Sequence, residues 1–462
     1  MLIWAIPPKH GLKMNLTRRP VSFCRFLWNW TLSVTAFRRL AWGVLAFVVA
    51  VILWGAVVRA TGSGAGCGSH WPLCNGEVLP GLARFQTLIE FAHRASSGLS
   101  LLAVFTLGHF AFRTFQKGHL CRQAALFSMV AIVVEALIGA ALVLLRLVEH
   151  DQSLDRAVSI SFHLVNTSFL IGALTVTAYS AGLPRPRFFL SDRTQRRKTL
   201  LLLSGFVALG ATGALTALGD TLFRPSSLAA GILSDWGSQS HFLERLRILH
   251  PILALGWVAA MIPWLQTQAL GGAKFKFLSR WVLMLLVGNL SLGLSNVLLL
   301  APLALQVVHL LVANLIWIFL IALTNEAATA DSVWIGEIKS DELSQLEWIS
   351  RNLPPDDLLI SQGNRPHWDG VEVVAFIGTW CGDTHEQLPG FLQILKSAGF
   401  PENQLKIIGL GRDKKFGDWT ERYAIARLPT FVVSRGRKEI GRIVESPVVS
   451  LEADLQRILG QS

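Results

Sequence analysis

Eight apolar runs dominate the chain, at roughly 40–59, 88–112, 123–145, 157–180, 199–218, 244–266, 280–299 and 303–323. Each approaches the ~20 residues that a helix needs to cross the hydrocarbon core of a bilayer. Inside lipid, backbone donors and acceptors must be satisfied within the structure, so such runs predict helices. Only 16% of the 462 residues are charged and 52% are hydrophobic, with a mean hydropathy of +0.47. That balance excludes an ordinary soluble fold. The net charge of +12 sits in loops beside apolar runs. No basic stripe interleaved with aromatics accompanies it, so a nucleic-acid partner is not expected.

Lysine and arginine set the direction of the helices. Segment 1–39 carries Lys9, Lys13, Arg18, Arg19, Arg25, Arg38 and Arg39 together with Trp28 and Trp30. It has no small-residue cleavage site after a clean apolar core, so it reads as a basic interfacial segment, with Met1 or Met14 as the start. Basic loops recur at 113–122, 183–198 and 270–280, and the alternate loops are neutral or mixed. Positive loops stay inside, which predicts a multi-pass protein of the inner (cell) membrane with both chain ends cytoplasmic.

Four histidines occupy matched places in the even-numbered runs: His93, His163, His250 and His309. In the predicted orientation each falls in the first third or so of its span, so all four share a depth toward the outer face. The runs also repeat. Gly55-Ala56 returns as Gly213-Ala214, and Glu135 to Gly139 as Asn289 to Gly293. His93 and His163, 70 residues apart, return as His250 and His309, 59 apart. The expected fold class is therefore membrane all-α, with eight transmembrane helices as two pseudo-repeated four-helix bundles at 40–182 and 198–325.

Ionisable side chains inside a membrane mark function, although a single histidine there can serve packing alone. Paired imidazoles on facing helices are what haem iron takes as axial ligands, so two haem sites are expected, with iron held through His93, His163, His250 and His309. His10, His70, His109, His119, His150, His241 and His367 occupy loop, interface or unmatched positions. Glu90 stands one helical turn before His93, where the second half has Arg247. It reads either as a carboxylate paired with Arg94 or Arg59, or as a proton-handling acid beside a haem edge. Arg59, Arg94, Arg245 and Arg247 are candidate partners for haem propionates. Glu135 also lies in a span, and its role is not legible.

Between the first two runs, Thr61-Gly-Ser-Gly-Ala-Gly-Cys67-Gly-Ser-His-Trp-Pro-Leu-Cys74-Asn-Gly is rich in glycine. Six residues separate its cysteines, and a short, redox-labile disulfide closes there if the geometry permits. Zinc is the weaker alternative, since His70 is the one further ligand nearby.

Beyond residue 325 the composition turns charged. A linker at 326–340 and a soluble domain at 341–462 are expected, with a helix in DELSQLEWISRNL and a buried strand at 371–380 leading into Cys381. A helix, a strand, Leu428-Pro429-Thr430 and two more strands follow. This stretch resembles thioredoxin, whose α/β fold and cis-proline it implies. A helix N-terminus favours a thiolate, which makes Cys381 a candidate nucleophile. Thr384 replaces the partner cysteine, leaving a mixed-disulfide, glutathione-type or binding role.

The glycine-rich loop, Glu90-Phe-Ala-His93-Arg94 and three further membrane histidines in eight spans resemble the haem A synthase family over about 40–325. That resemblance implies oxidation of a ring methyl of haem O to the formyl of haem A for terminal oxidases. It implies His93 and His163 around the substrate haem O, His250 and His309 around a resident haem b that relays electrons, Glu90 as the catalytic carboxylate, and a Cys67–Cys74 disulfide. Pro251 after His250 departs from the pattern. Haem O synthase and oxidase assembly factors are expected partners, with homo-oligomers an option and the electron acceptor unread. Rival readings are a di-haem electron-transfer cytochrome b, a haem chaperone and a transmembrane thiol-disulfide carrier. The last would place cysteine pairs within its spans, and there are none.

Overall fold

The structure is a computed structural model that describes residues 31–81, 84–183, 186–190, 193–269, 273–330, 333–344, 348–349, 368–411, 413–436 and 438–460. Most of the basic N-terminal segment, with Trp28, Trp30, both candidate starts and Cys24, lies outside the described residues, as do His10 and His367.

The membrane region is helical throughout: α1 (Val34–Ala60), α2 (Phe85–Thr114), α3 (Leu120–Leu144), α4 (Leu154–Ser180), α5 (Arg193–Leu222), α6 (Leu228–Trp236), α7 (Phe242–Leu246), α8 (Leu249–Ala269), α9 (Ala273–Leu298) and α10 (Leu303–Ala330). Among the described residues eight helices are long and apolar enough to cross a membrane, α7 and α8 counting as one. These helices fit an integral multi-pass membrane protein.

Capping residues explain several starts. Ser33 Oγ accepts from the Ala36 amide at 3.2 Å and Ser153 Oγ from the Arg156 amide at 3.2 Å. His119 and His241 are also caps, their rings accepting from the amides of Cys121 and Leu243. Each satisfies a donor that the first helical turn leaves free. Helix α6, absent from the sequence-based expectation, is too short to span and exposes Ile232, Leu233 and Trp236. Outward faces of the long helices are apolar as well, with Leu102, Leu137 and Met284 about 60% exposed. Lipid is the solvent that suits such faces.

Helices α1 to α4 pack as neighbours, with α1 returning against α4, while α5, α8, α9 and α10 form a second group. The groups join where α4 lies on α5 and α10, and α1 on α10. Polar contacts tie this seam. Trp317 Nε1 donates to Ser168 O at 2.7 Å. Tyr179 donates to Glu326 at 2.9 Å. Arg59 reaches from α1 to Ala217 O, to Thr221 Oγ1 at 2.7 Å and to Gln306 Oε1 at 2.9 Å. Helix packing within lipid depends on such contacts, because no water is gained by burying apolar surface there.

The remaining residues form a five-stranded sheet in the order β1-β3-β2-β4-β5, from β1 (Gly336–Ile338), β2 (Val371–Ile377), β3 (Leu405–Gly409), β4 (Thr430–Arg435) and β5 (Lys438–Val444). Strands β2 and β3 run parallel and the other pairs antiparallel. Helices α11 (Ser340–Ser344), α12 (Gly382–Ser397), α13 (Trp419–Arg422) and α14 (Leu451–Gly460) complete it. Part of the segment expected as linker is thus the edge strand β1. The helix expected in DELSQLEWISRNL is described at Ser340–Ser344 and at 348–349, and the rest of that stretch lies outside the described residues.

Candidate haem-binding site

Each of the four histidines rests against a glycine on a neighbouring helix. A Cβ at Gly55 would stand 3.0 Å from His93 Cε1, and one at Gly213 2.9 Å from His250 Cε1. A Cβ at Gly293 would stand 3.3 Å from His309 Cε1, and one at Gly139 3.9 Å from His163 Nε2. At the first three sites a Cβ would crowd the ring, which would have to give way by a few tenths of an ångström or more. Gly55 and Gly213, and Gly139 and Gly293, are the glycines paired in the sequence comparison of the two halves.

The ring environments differ. His250 and His309 face each other with centroids 6.3 Å apart and planes at 85°. His250 Nδ1 lies 3.3 Å from Thr212 Oγ1. The Nδ1 atoms of His93 and His309 are buried with no hydrogen-bond partner. His163 Nδ1 is 2.8 Å from Glu135 Oε1, a partnership the sequence left unread.

This donor set fits haem. A bare transition-metal ion asks for about four protein ligands, and among the described residues no group of three or more His, Cys, Asp or Glu is placed to hold one. A haem brings its equatorial nitrogens with it and asks the protein for axial imidazoles. His250 and His309, facing each other with centroids 6.3 Å apart, are placed to offer such a pair.

Glu90 is 3% exposed and fully engaged. Its Oε2 accepts from the Cys67 amide at 2.7 Å, and its Oε1 from Arg94 Nη2 at 2.5 Å and Nε at 3.1 Å. Arg94 Nη1 continues to the carbonyls of His70 at 2.5 Å and Leu73 at 2.7 Å. Carboxylate, arginine and loop therefore form one network. Cys67 and Cys74 are joined by a disulfide with Cα atoms 4.4 Å apart. The loop lies tight on the start of α2: Thr87 Oγ1 donates to Gly66 O at 2.7 Å, and a Cβ at Gly66 would come within 2.5 Å of Gln86 O.

The remaining arginines diverge. Arg59 is committed to the seam between the helix groups. Arg247, 7% exposed, sits among carboxylates: Asp235 at 2.8 Å, Asp220 at 3.5 Å and Glu244 at 3.6 Å. Burial raises the Asp235 carboxyl above its ordinary range, and the Arg247 charge pulls the other way. Asp220 and Asp235 come from α5 and α6, so only the fold brings them to Arg247. Arg245 is exposed.

In the sheet domain Cys381 stands at the N-cap position of α12, and its Sγ lies 3.5 Å from Leu428 O beside the cis Leu428–Pro429 bond. Thr384, standing where a second cysteine was sought, is fully buried and its Oγ1 accepts from the Gly378 amide at 3.2 Å. His385 stacks on Trp348 with centroids 4.1 Å apart.

A family model described as cytochrome oxidase assembly protein, COX15-CtaA, matches residues 38–321. The chain is 43% identical over 304 residues to a protein of Thermus thermophilus named protoheme IX farnesyltransferase, covering 64% of this chain and 50% of the relative. It is 41% identical over 138 residues to a heme A synthase of Staphylococcus haemolyticus, covering 29% of this chain and 45% of the relative. Against a heme A synthase of Bacillus mycoides the identity is 41% over 96 residues, covering 21% and 31%. The chain thus spans about half the length, or less, of these relatives.

Proposed function

The chain belongs to the COX15-CtaA family of cytochrome oxidase assembly proteins, and on that premise we propose that it is a membrane oxidoreductase converting haem O to haem A. The four glycine-seated histidines carry the reading. They would offer each half a pair of imidazoles for haem iron, and they support a pseudo-repeat of two four-helix bundles. The heme A synthase names of two relatives support the same substrate.

In this reading His93 and His163 hold the substrate haem O, and His250 and His309 a resident haem b. When bound, haem b supplies one-electron relay for electrons leaving the substrate. Glu90 is the catalytic carboxylate that takes the proton released as the ring methyl is oxidised. Arg94 and the Cys67 amide fix its position one turn before His93. The disulfide loop keeps water from that edge by packing on the start of α2. The exposed Arg245 is the arginine left for a propionate, since Arg59, Arg94 and Arg247 are committed elsewhere.

The basic loops support an inner-membrane topology with the disulfide loop outside and the sheet domain in the cytoplasm. Sheet order and the placement of Cys381 at a helix start support a thioredoxin-like domain with Cys381 as its nucleophile. A relative named for farnesyl transfer to protohaem supports a partnership with the enzyme that makes the farnesylated substrate.

The test is conversion of supplied haem O by membranes carrying the chain, compared with His163→Ala. Haem A is expected from the first and not from the second. Equal yields from both would overturn the assignment of the substrate to the first half.

A further inference from the structure

One part-buried carboxylate has no part in the function above. Glu135, in the middle of α3, has a side chain 15% exposed, and an acid at such depth persists only when it is partnered. Both of its oxygens are taken. Oε1 meets His163 Nδ1 at 2.8 Å and also receives Thr167 Oγ1, while Oε2 receives Asn166 Nδ2 at 2.6 Å. Asn166 is braced in turn on Ala131 O at 2.9 Å. This is a built acceptor for one side of one imidazole.

The second half lacks the carboxylate. Asn289 stands four residues before Gly293, as Glu135 stands four before Gly139. The Asn289 Oδ1 and the His309 Nδ1 are both buried without a hydrogen-bond partner. Val312 and Ala313 follow His309 where Asn166 and Thr167 follow His163.

Resting on the haem reading, we propose that Glu135 is a positioning residue that makes the two haem sites unequal. It holds His163 with the proton on Nδ1, leaving Nε2, the nitrogen on the Gly139 side, as the lone pair for iron. A carboxylate behind a ligating imidazole also strengthens it as a donor. A stronger donor favours the oxidised metal, so hydrogen bonding of this kind is one of the protein's levers on a haem potential. The first-half haem therefore lies at the lower potential and the second-half haem, with neutral Asn289 at the matching sequence position, at the higher. That order suits a substrate site that gives up electrons and a resident site that receives them.

The full chain, purified in detergent and supplied with haem, would be titrated potentiometrically while its absorption spectrum is followed. The step lost in His163→Ala identifies the first half. In Glu135→Asn the first-half midpoint is expected to rise by about 59 mV or more, a tenfold change in a one-electron equilibrium, with the second step unmoved. First-half haem affinity is expected to fall about 10–100-fold. The reciprocal Asn289→Asp, which changes no shape, is expected to lower the second midpoint. Two bound haems with an unmoved first midpoint in Glu135→Asn would overturn the proposal. If that variant fails to accumulate, an unmoved second midpoint in Asn289→Asp would overturn it instead. A wild-type chain that binds no bis-histidine haem would remove the reading on which both rest.

Discussion

The amide nitrogen of Cys67 lies 2.7 Å from Oε2 of Glu90, so the disulfide loop is hydrogen-bonded to the carboxylate before His93. Closing so short a loop stabilises the chain by about 2–3 kcal/mol in the chain-entropy treatment. Replacing Cys67 and Cys74 by serine is expected to lower stability by about that amount, read as a lower melting temperature, and to reduce haem A formation more than haem content. Thermal unfolding and extracted haem from the same preparation check this. Unchanged conversion with the loop opened would separate the loop from the reaction.

Gly213 sets the seat of His250. Alanine is ordinarily favoured over glycine in a helix by about 1 kcal/mol, but here its Cβ would press to 2.9 Å from Cε1. Overpacking of this kind costs about 1–3 kcal/mol. Gly213→Ala is therefore expected to lose the second-half haem while keeping the first. Gly256→Ala, in α8 with nothing within 4 Å of its added Cβ, serves as the control and is expected to bind both. Haem stoichiometry of the purified variants decides the matter.

Arg247 is held by three carboxylates at 7% exposure. Arg247→Leu would strand them, and removing one partner of a buried ion pair costs about 3–5 kcal/mol. Loss of second-half haem ahead of first-half haem during heating is expected. A melting profile equal to wild type would show that the cluster is not structural.

How much of this was legible in the chain follows from what forces each feature. The bilayer allows few solutions for an apolar run, so the eight helices were readable and their ends needed only capping residues such as Ser33 and Ser153. His93, His163, His250 and His309 were readable because polar side chains stand out against apolar neighbours and recur with Gly55, Gly139, Gly213 and Gly293. Partnerships across helices were not. Glu135 meets His163 only once α3 packs on α4, and Arg247 looked free for a propionate until α5 and α6 brought Asp220 and Asp235 to it. Helix α6 and strand β1 escaped notice because they are too short to carry a period of their own.

The central claim, that this membrane domain modifies haem, is tested most directly by extracting and chromatographing the haem of membranes supplied with haem O, with wild type beside Glu90→Gln. Haem A from the wild type, and haem O or a hydroxylated intermediate from the variant, is the expected result. Only unmodified haem in both, with bis-histidine spectra intact, would contradict it and leave an electron-transfer cytochrome or a haem chaperone in its place.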